Sequence, residues 1–217
     1  QELYSAPIQP ELITARLAEI REAGVIVSGS LSPQRVVEHY RTVLEAGVDL
    51  FVIRGTTVSA EHVSRAQEPL DLKKFIYDLD VPVIVGGAAG YTPALHLMRT
   101  GAAGVIVGAG VTTNAETVGI DPAMATAIAD AAAARRDYLD ETGGRYVHII
   151  ADTEFENSGN IAKAFACGAD SVALGPLLAQ AREAGGKGWY WPATAGHPRF
   201  PRGFVQFSGA DADLDVD

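Results

Sequence analysis

Short apolar runs separated by helical patterns recur along the chain, and this alternation constrains its fold more than any other feature. The runs are Val25-Ile26-Val27, Asp49-Leu50-Phe51-Val52-Ile53, Val81-Pro82-Val83-Ile84-Val85, Val105-Ile106-Val107, Tyr146-Val147-His148-Ile149-Ile150 and Ser171-Val172-Ala173-Leu174. Several follow a glycine at the end of a helical stretch: Gly24, Gly47, Gly104 and Gly168. Continuous apolar runs, rather than alternating ones, predict strands buried on both faces, as in a parallel sheet flanked by helices. Ser32 and Pro33 open one such helix, which reaches Glu45. Thr92 and Pro93 open another to Thr100, and the Ala-rich stretch Met124 to Leu139 is a third.

About six β/α units in one chain admit either an open doubly wound sheet or a barrel. The turns favour the barrel. Gly- or Thr-rich segments follow nearly every run: Ser28-Gly29-Ser30, Arg54-Gly55-Thr56-Thr57, Gly86-Gly87-Ala88, Gly108-Ala109-Gly110, Asp152-Thr153 and Gly175. A barrel builds its site from loops at all the strand C-termini, whereas an open sheet concentrates them at one switch point. The expected fold is therefore a TIM (β/α) barrel type with about six of the eight units present. Strand number, tilt and stagger are linked, so six strands do not close the same barrel. Either two strands precede Gln1 or the fold is altered, and a chain that begins at Gln1 rather than Met suggests a longer product. With 217 residues, one domain is expected, a partial barrel over 1–203 followed by an acidic tail over 204–217.

Charge and composition narrow the function classes. A net charge of −10, with no Lys/Arg run interleaved with aromatics, argues against nucleic acid and anionic membranes as partners. No apolar stretch reaches the length of about 18 residues that spans a bilayer, and Gln1-Glu2-Leu3-Tyr4 lacks a leader pattern. Cys167 is the sole cysteine, so an internal disulfide and a thiolate metal cluster are excluded and a reducing cytoplasm is expected. His39, His96 and His148 lie in helix or strand contexts without metal spacing, and His197 lies in a loop, so no metal site is expected. Neither G-x-G-x-x-G in strand-to-helix context nor a phosphate loop with Gly-Lys-Ser/Thr occurs.

Long segments carry a resemblance: Tyr4-Ser-Ala-Pro-Ile-Gln-Pro-Glu-Leu-Ile-Thr14, Phe51-Val-Ile-Arg-Gly-Thr-Thr-Val-Ser-Ala-Glu-His-Val63, Leu97-Met-Arg-Thr-Gly-Ala-Ala-Gly-Val105 and Met124 to His148. Together, over most of Leu3 to Gly203, they resemble the IMP dehydrogenase/GMP reductase family, and within it the bacterial IMP dehydrogenase-related subgroup. The resemblance implies a phosphate-binding barrel, a purine nucleotide ligand (IMP, XMP or GMP) and NAD or NADP as cofactor. It also implies association as a homo-oligomer or with a paralogue. The family's chemistry is hydride transfer at purine C2 through a covalent thioimidate on a loop cysteine. Here that loop reads Gly108-Ala-Gly-Val-Thr-Thr-Asn-Ala-Glu-Thr-Val-Gly-Ile-Asp-Pro122, with Val111 where the cysteine would precede Thr112 and Thr113. Valine is no nucleophile. Cys167 does not replace it, because Ala166-Cys167-Gly168 lies in a helix-to-strand connection, at the face opposite the ligand loops.

The implied phosphate site is altered as well. Where the family continues Ala-Asp-Gly-Gly, this chain keeps Ala151-Asp152 but continues Thr153-Glu154-Phe155-Glu156, two carboxylates and a ring that would repel or obstruct phosphate. Gly175 is followed by Pro176, which has no N–H to donate. Ser158-Gly159 before a helix from Ile161 still offers free N–H groups. Carried over onto this chain, the nucleotide-binding positions are Asp152, Ser158, Gly159, Gly175, Gly108, Gly110 and Tyr190, the last within Gly188-Trp-Tyr-Trp191. Arg54, Gly55 and Thr56 fall on the cofactor side. Two of these have structural alternatives, Asp152 as a cap on the next turn and Arg54 as the partner of a neighbouring loop acid. Glu61 and His62 lie on a turn and share no helix face.

Three functional readings result. The first is a purine-metabolising oxidoreductase of this family, impaired or inactive without its thiol. The second is a non-catalytic purine-nucleotide-binding or assembly paralogue. The third is an FMN-dependent barrel oxidase, since Val83-Ile-Val-Gly-Gly87 and Gly168-Ala-Asp170 also occur in nitronate-oxidising enzymes.

Overall fold

A computed structural model describes residues 5–60, 69–109, 122–191 and 205–209. Six strands lie parallel and in chain order in one sheet: β1 (Ser28–Leu31), β2 (Leu50–Arg54), β3 (Val83–Ala88), β4 (Gly104–Gly108), β5 (His148–Asp152) and β6 (Ser171–Val172). Helices cover its outer face: α1 (Pro10–Glu22), α2 (Val36–Glu45), α3 (Leu72–Tyr77), α4 (Tyr91–Arg99), α5 (Met124–Thr142) and α6 (Ser158–Cys167), while the short α7 (Pro176–Ala179) lies at the C-terminal end of the strands. The sheet is curled rather than flat. Arg54 on β2 and Asp152 on β5 are three strands apart, about 14 Å in a flat sheet, yet their side chains meet at 2.5 Å across the concave face. This is the curvature of a partial TIM barrel, with β1 and β6 as its two edges.

Register explains the two faces. Val85, Val105 and Ile149 are aligned neighbours, as are Val107 and Ala151, and all are fully buried beneath the helices. The alternate residues Val52, Ile84 and Ile150 face the bore and are only half-buried, because six strands do not close over it. In α2, Val36, His39 and Val43 form the buried stripe, at the spacing that puts them on one helix face. His39 is thus a core residue; among the described residues its Nε2 has no hydrogen-bond partner.

The N-terminal ends of the strands are tied by a repeated device. Gly47-Val48-Asp49 and Gly168-Ala169-Asp170 each place a carboxylate on the backbone N–H entering the preceding strand. Val27 N–H donates to Asp49 at 2.9 Å and Ile149 N–H to Asp170 at 2.7 Å. Arg21 also donates to Asp49, and Arg135 and Tyr146 to Asp170.

Several sequence expectations are corrected. Val25 and Ile26 are exposed and precede the strand; β1 is instead Ser28–Leu31, within the stretch read as a turn. Gly29 belongs there because a Cβ would collide with Val43 of α2. Gly86 and Gly87 lie inside β3, where a Cβ on Gly86 would collide with Ile106 on β4. These glycines permit close approach rather than a turn. Ser158 and Gly159 form the first turn of α6 rather than preceding it, and Asn157 caps it by accepting from Asn160 N–H at 3.0 Å. Gln206–Phe207, within the stretch read as a tail, form β8, antiparallel to β7 (Trp189–Tyr190). Stacking of Trp189 on Phe207, 5.1 Å between ring centroids, holds that pair together. Among the described residues, no helix is long and apolar enough to cross a membrane.

Candidate functional site

At the C-terminal end of the strands the curled sheet encloses a cavity of about 360 Å³. Its apolar wall is Val52, Ile84, Ile106 and Ile150, its polar groups Arg54, Asp152, Thr153 and Tyr190, and Gly175 and Pro176 close one side. Each strand residue arrives there by the period of two that sends alternate side chains into the bore.

Arg54 and Asp152 dominate the electrostatics. Arg54 Nε donates to Asp152 Oδ2 at 2.7 Å, and Nη2 lies 2.5 Å from the same oxygen. Among the described residues this guanidinium is the one hydrogen-bond partner of the Asp152 side chain, which lines the cavity. The Asp152 side chain is only 4% exposed and that of Arg54 37%. Burial therefore pushes the Asp152 carboxyl above its ordinary value, and the charge and hydrogen bond of Arg54 offset only part of the shift. Burial likewise pushes the Tyr190 hydroxyl up; Arg54 pulls it back, while Asp152 and Glu154 reinforce the rise.

Tyr190 is seated on Gly175. A Cβ there would lie 2.8 Å from the Tyr190 ring, so glycine at 175 makes room for an aromatic lid. Pro176 occupies the first position of α7, removing one N–H beside it. Phe155 is 4% exposed and packs in the core, so the ring expected to obstruct the seat does not enter it. Glu154 and Glu156 remain exposed.

The structure thus brings together Arg54, Asp152, Gly175 and Tyr190. Gly108 ends β4 with φ +89, and a Cβ there would collide with the Asp152 carbonyl; its role is to let β4 pass β5. Ser158 and Gly159 do not line the cavity. The Gly55 N–H donates to Gly86 O at 2.8 Å and the Gly55 carbonyl accepts from Gly87 N–H at 2.9 Å, which leaves Gly55 no free backbone group for NAD or NADP. Thr56 does not line the cavity either, and Arg54 is held by Asp152. Among the described residues the proposed cofactor cradle therefore does not fit that group. Val111, Thr112, Thr113 and Gly110, with Glu61, His62 and His197, lie outside the described residues. Cys167 closes α6 at the opposite end of the sheet, and no cluster of potential metal ligands exists among the described residues. Ser30 and the four apolar wall residues escaped the sequence reading as site residues. Their period-two spacing with Arg54 and Asp152 was the available signal.

Comparison with known proteins agrees with this architecture. The family model for the IMP dehydrogenase / GMP reductase domain matches residues 18–196. An uncharacterized oxidoreductase of Mycobacterium tuberculosis is 59% identical over 207 residues, covering 94% of this chain and 55% of the relative. The inosine-5'-monophosphate dehydrogenase of Aquifex aeolicus is 32% identical over 189 residues, covering 86% and 36%. A crystal structure of an IMP dehydrogenase/GMP reductase-like protein from Corynebacterium glutamicum superposes with a TM-score of 0.90 at 60% identity, covering 95% of this chain and 54% of that one. The chain spans about half the length of the mycobacterial relative and of this structural neighbour. From its sequence match and its curled parallel sheet alike, this chain belongs to the IMP dehydrogenase/GMP reductase family.

Proposed function

We propose that this chain carries the purine site of a family oxidoreductase whose covalent chemistry is impaired or lost. The observation that supports this reading most is Asp152: a buried carboxylate at a strand C-terminus, paired with Arg54 and lining a small, largely apolar cavity. Such a carboxylate accepts hydrogen bonds from ribose hydroxyls, and the aliphatic wall suits a purine ring. IMP, XMP and GMP are the ligands that family membership suggests.

The dehydrogenase relatives suggest hydride transfer with NAD or NADP, a group that Arg54, Gly55 and Thr56, the residues expected to cradle it, do not fit. Valine at position 111 supplies no nucleophile for a thioimidate, and loss of a nucleophile costs several orders of magnitude in rate. The proposed role is therefore ligand binding, alone or in assembly with a second copy or an active paralogue, in the reducing cytoplasm that a single cysteine suggests.

Calorimetric titration of purine nucleotides and nucleosides into the parent and Asp152→Asn proteins tests this reading. Binding that Asp152→Asn weakens, without production of reduced nicotinamide from IMP and NAD, is the expected result. Turnover would restore the catalytic reading, and absence of purine binding would remove the proposed site.

A further inference from the structure

A second cavity, of about 680 Å³, lies at the other end of the sheet from Asp152, where Val83 opens β3 and Gly101 and Ala103 lead into β4. Barrel chemistry sits at the strand C-termini, so the proposed purine site makes no use of it. Ile76, Leu79, Val81, Val83 and Ala103 give it an apolar wall.

Three cations line the same cavity: Lys73 and Lys74 on α3, and Arg145 just before β5. The chain has only four lysines and a net charge of −10, so two adjacent lysines beside an arginine reverse the sign of the surface locally. Among the described residues none of the three is in an ion pair. Of the two carboxylates in the lining, Asp71 is committed to capping α3, accepting from Lys74 N–H at 3.0 Å, and Asp80 is the other. Arg145 is held in place by donating from Nη2 to the Gly101 carbonyl at 2.5 Å. One bond uses little of a guanidinium's donor fork, and the remainder suits an anion.

Tyr77 adds a ring. It ends α3 at the cavity and is 89% exposed, and among the described residues its ring stacks on no other. Its face is therefore open to a planar group.

We infer that this cavity binds a small polyanion carrying a planar ring, of the nucleoside polyphosphate class. The phosphates are met by Lys73, Lys74 and Arg145, and the ring lies on Tyr77 and the apolar wall. The volume falls well inside the range of roughly 300 to 1,000 Å³ in which such ligands are held.

Calorimetric titration of ATP in magnesium-free buffer at low salt, with pyrophosphate titrated alongside, tests the inference. ATP is expected to bind, with an affinity that falls as salt rises. The double variant Lys73→Gln/Lys74→Gln, at exposed positions, should weaken it about tenfold or more. Tyr77→Ala should weaken ATP and leave pyrophosphate unchanged. Asp152→Asn should leave ATP binding at this cavity intact, which separates it from the purine site. Absence of ATP binding at millimolar concentration overturns the inference. So does ATP binding that the lysine substitutions fail to weaken, or pyrophosphate binding as tightly as ATP.

Discussion

The two ends of the sheet use the same side chain in opposite ways. At the N-terminal end, Asp49 and Asp170 each accept a backbone N–H together with an arginine, and Asp170 adds a tyrosine. At the C-terminal end, Asp152 is more deeply buried than either, yet among the described residues it holds only Arg54. A saturated carboxylate belongs to the fold, because its acceptors are spent on the chain itself. An undersupplied one retains capacity for a ligand, and its burial costs stability that a purely structural aspartate would not cost.

The largest effect is expected from Asp170→Ala. It leaves Ile149 N–H and Arg135 without their partner in a half-buried setting, so a loss of about 2–3 kcal/mol should appear in urea denaturation. A loss below about 0.5 kcal/mol would mean that the tie at this end is ornamental and would break the contrast. Next is Gly29→Ala, which drives a methyl into Val43 and should cost roughly 1–3 kcal/mol while leaving purine binding intact.

Asp152→Asn sharpens the comparison from the other side. Stability is expected to stay within about 1 kcal/mol of the parent, because Asn still accepts from Arg54 and carries no charge to bury. Purine-ligand affinity should meanwhile fall by about tenfold or more, read by calorimetry. The pH dependence has a definite sign. The folded Asp152 carboxyl lies above its ordinary value, so folding is penalised at neutral pH and the penalty is relieved as pH falls through the folded value. Any stability advantage of Asp152→Asn should therefore shrink on acidification, and ligand binding should weaken at a higher pH than an ordinary aspartate would give.

The smallest effect is at Asp49. Its carboxyl is held below the ordinary value chiefly by Val27 N–H; burial opposes this as the next largest effect, and the hydrogen bond and charge of Arg21 lower it further. Its contribution is fully present above the unfolded value and is lost as pH falls through the folded one. In Asp49→Asn that acid-side loss should disappear from stability curves measured in both proteins, the opposite of the trend at Asp152.

Much of this was legible without coordinates. Six apolar runs with intervening helical patterns predicted the six strands of the parallel sheet, and the run Tyr146 to Ile150 placed Asp152 at a strand end. Strand boundaries were less legible because glycine has two uses. Gly29 and Gly86 resemble turn signals, but each marks a place where a helix or a neighbouring strand passes too close for a Cβ. Apolar Val25 and Ile26 looked like strand and are exposed instead, since the chain must first climb from α1 to the sheet.

By itself the sequence determined the alternation of elements, the buried outer face and the residue types available at the strand ends. Hydrophobic period is a local property, so it can be read locally, whereas the helix openings read at Ser32-Pro33 and Thr92-Pro93 miss the observed caps, Arg35 before α2 and Gly90 before α4. Only the tertiary structure decided that Arg54 meets Asp152, 98 residues later, and that Tyr190 covers Gly175. Those contacts depend on the curl of the sheet, a sum of small twists over several strands, and no short window of sequence contains that sum.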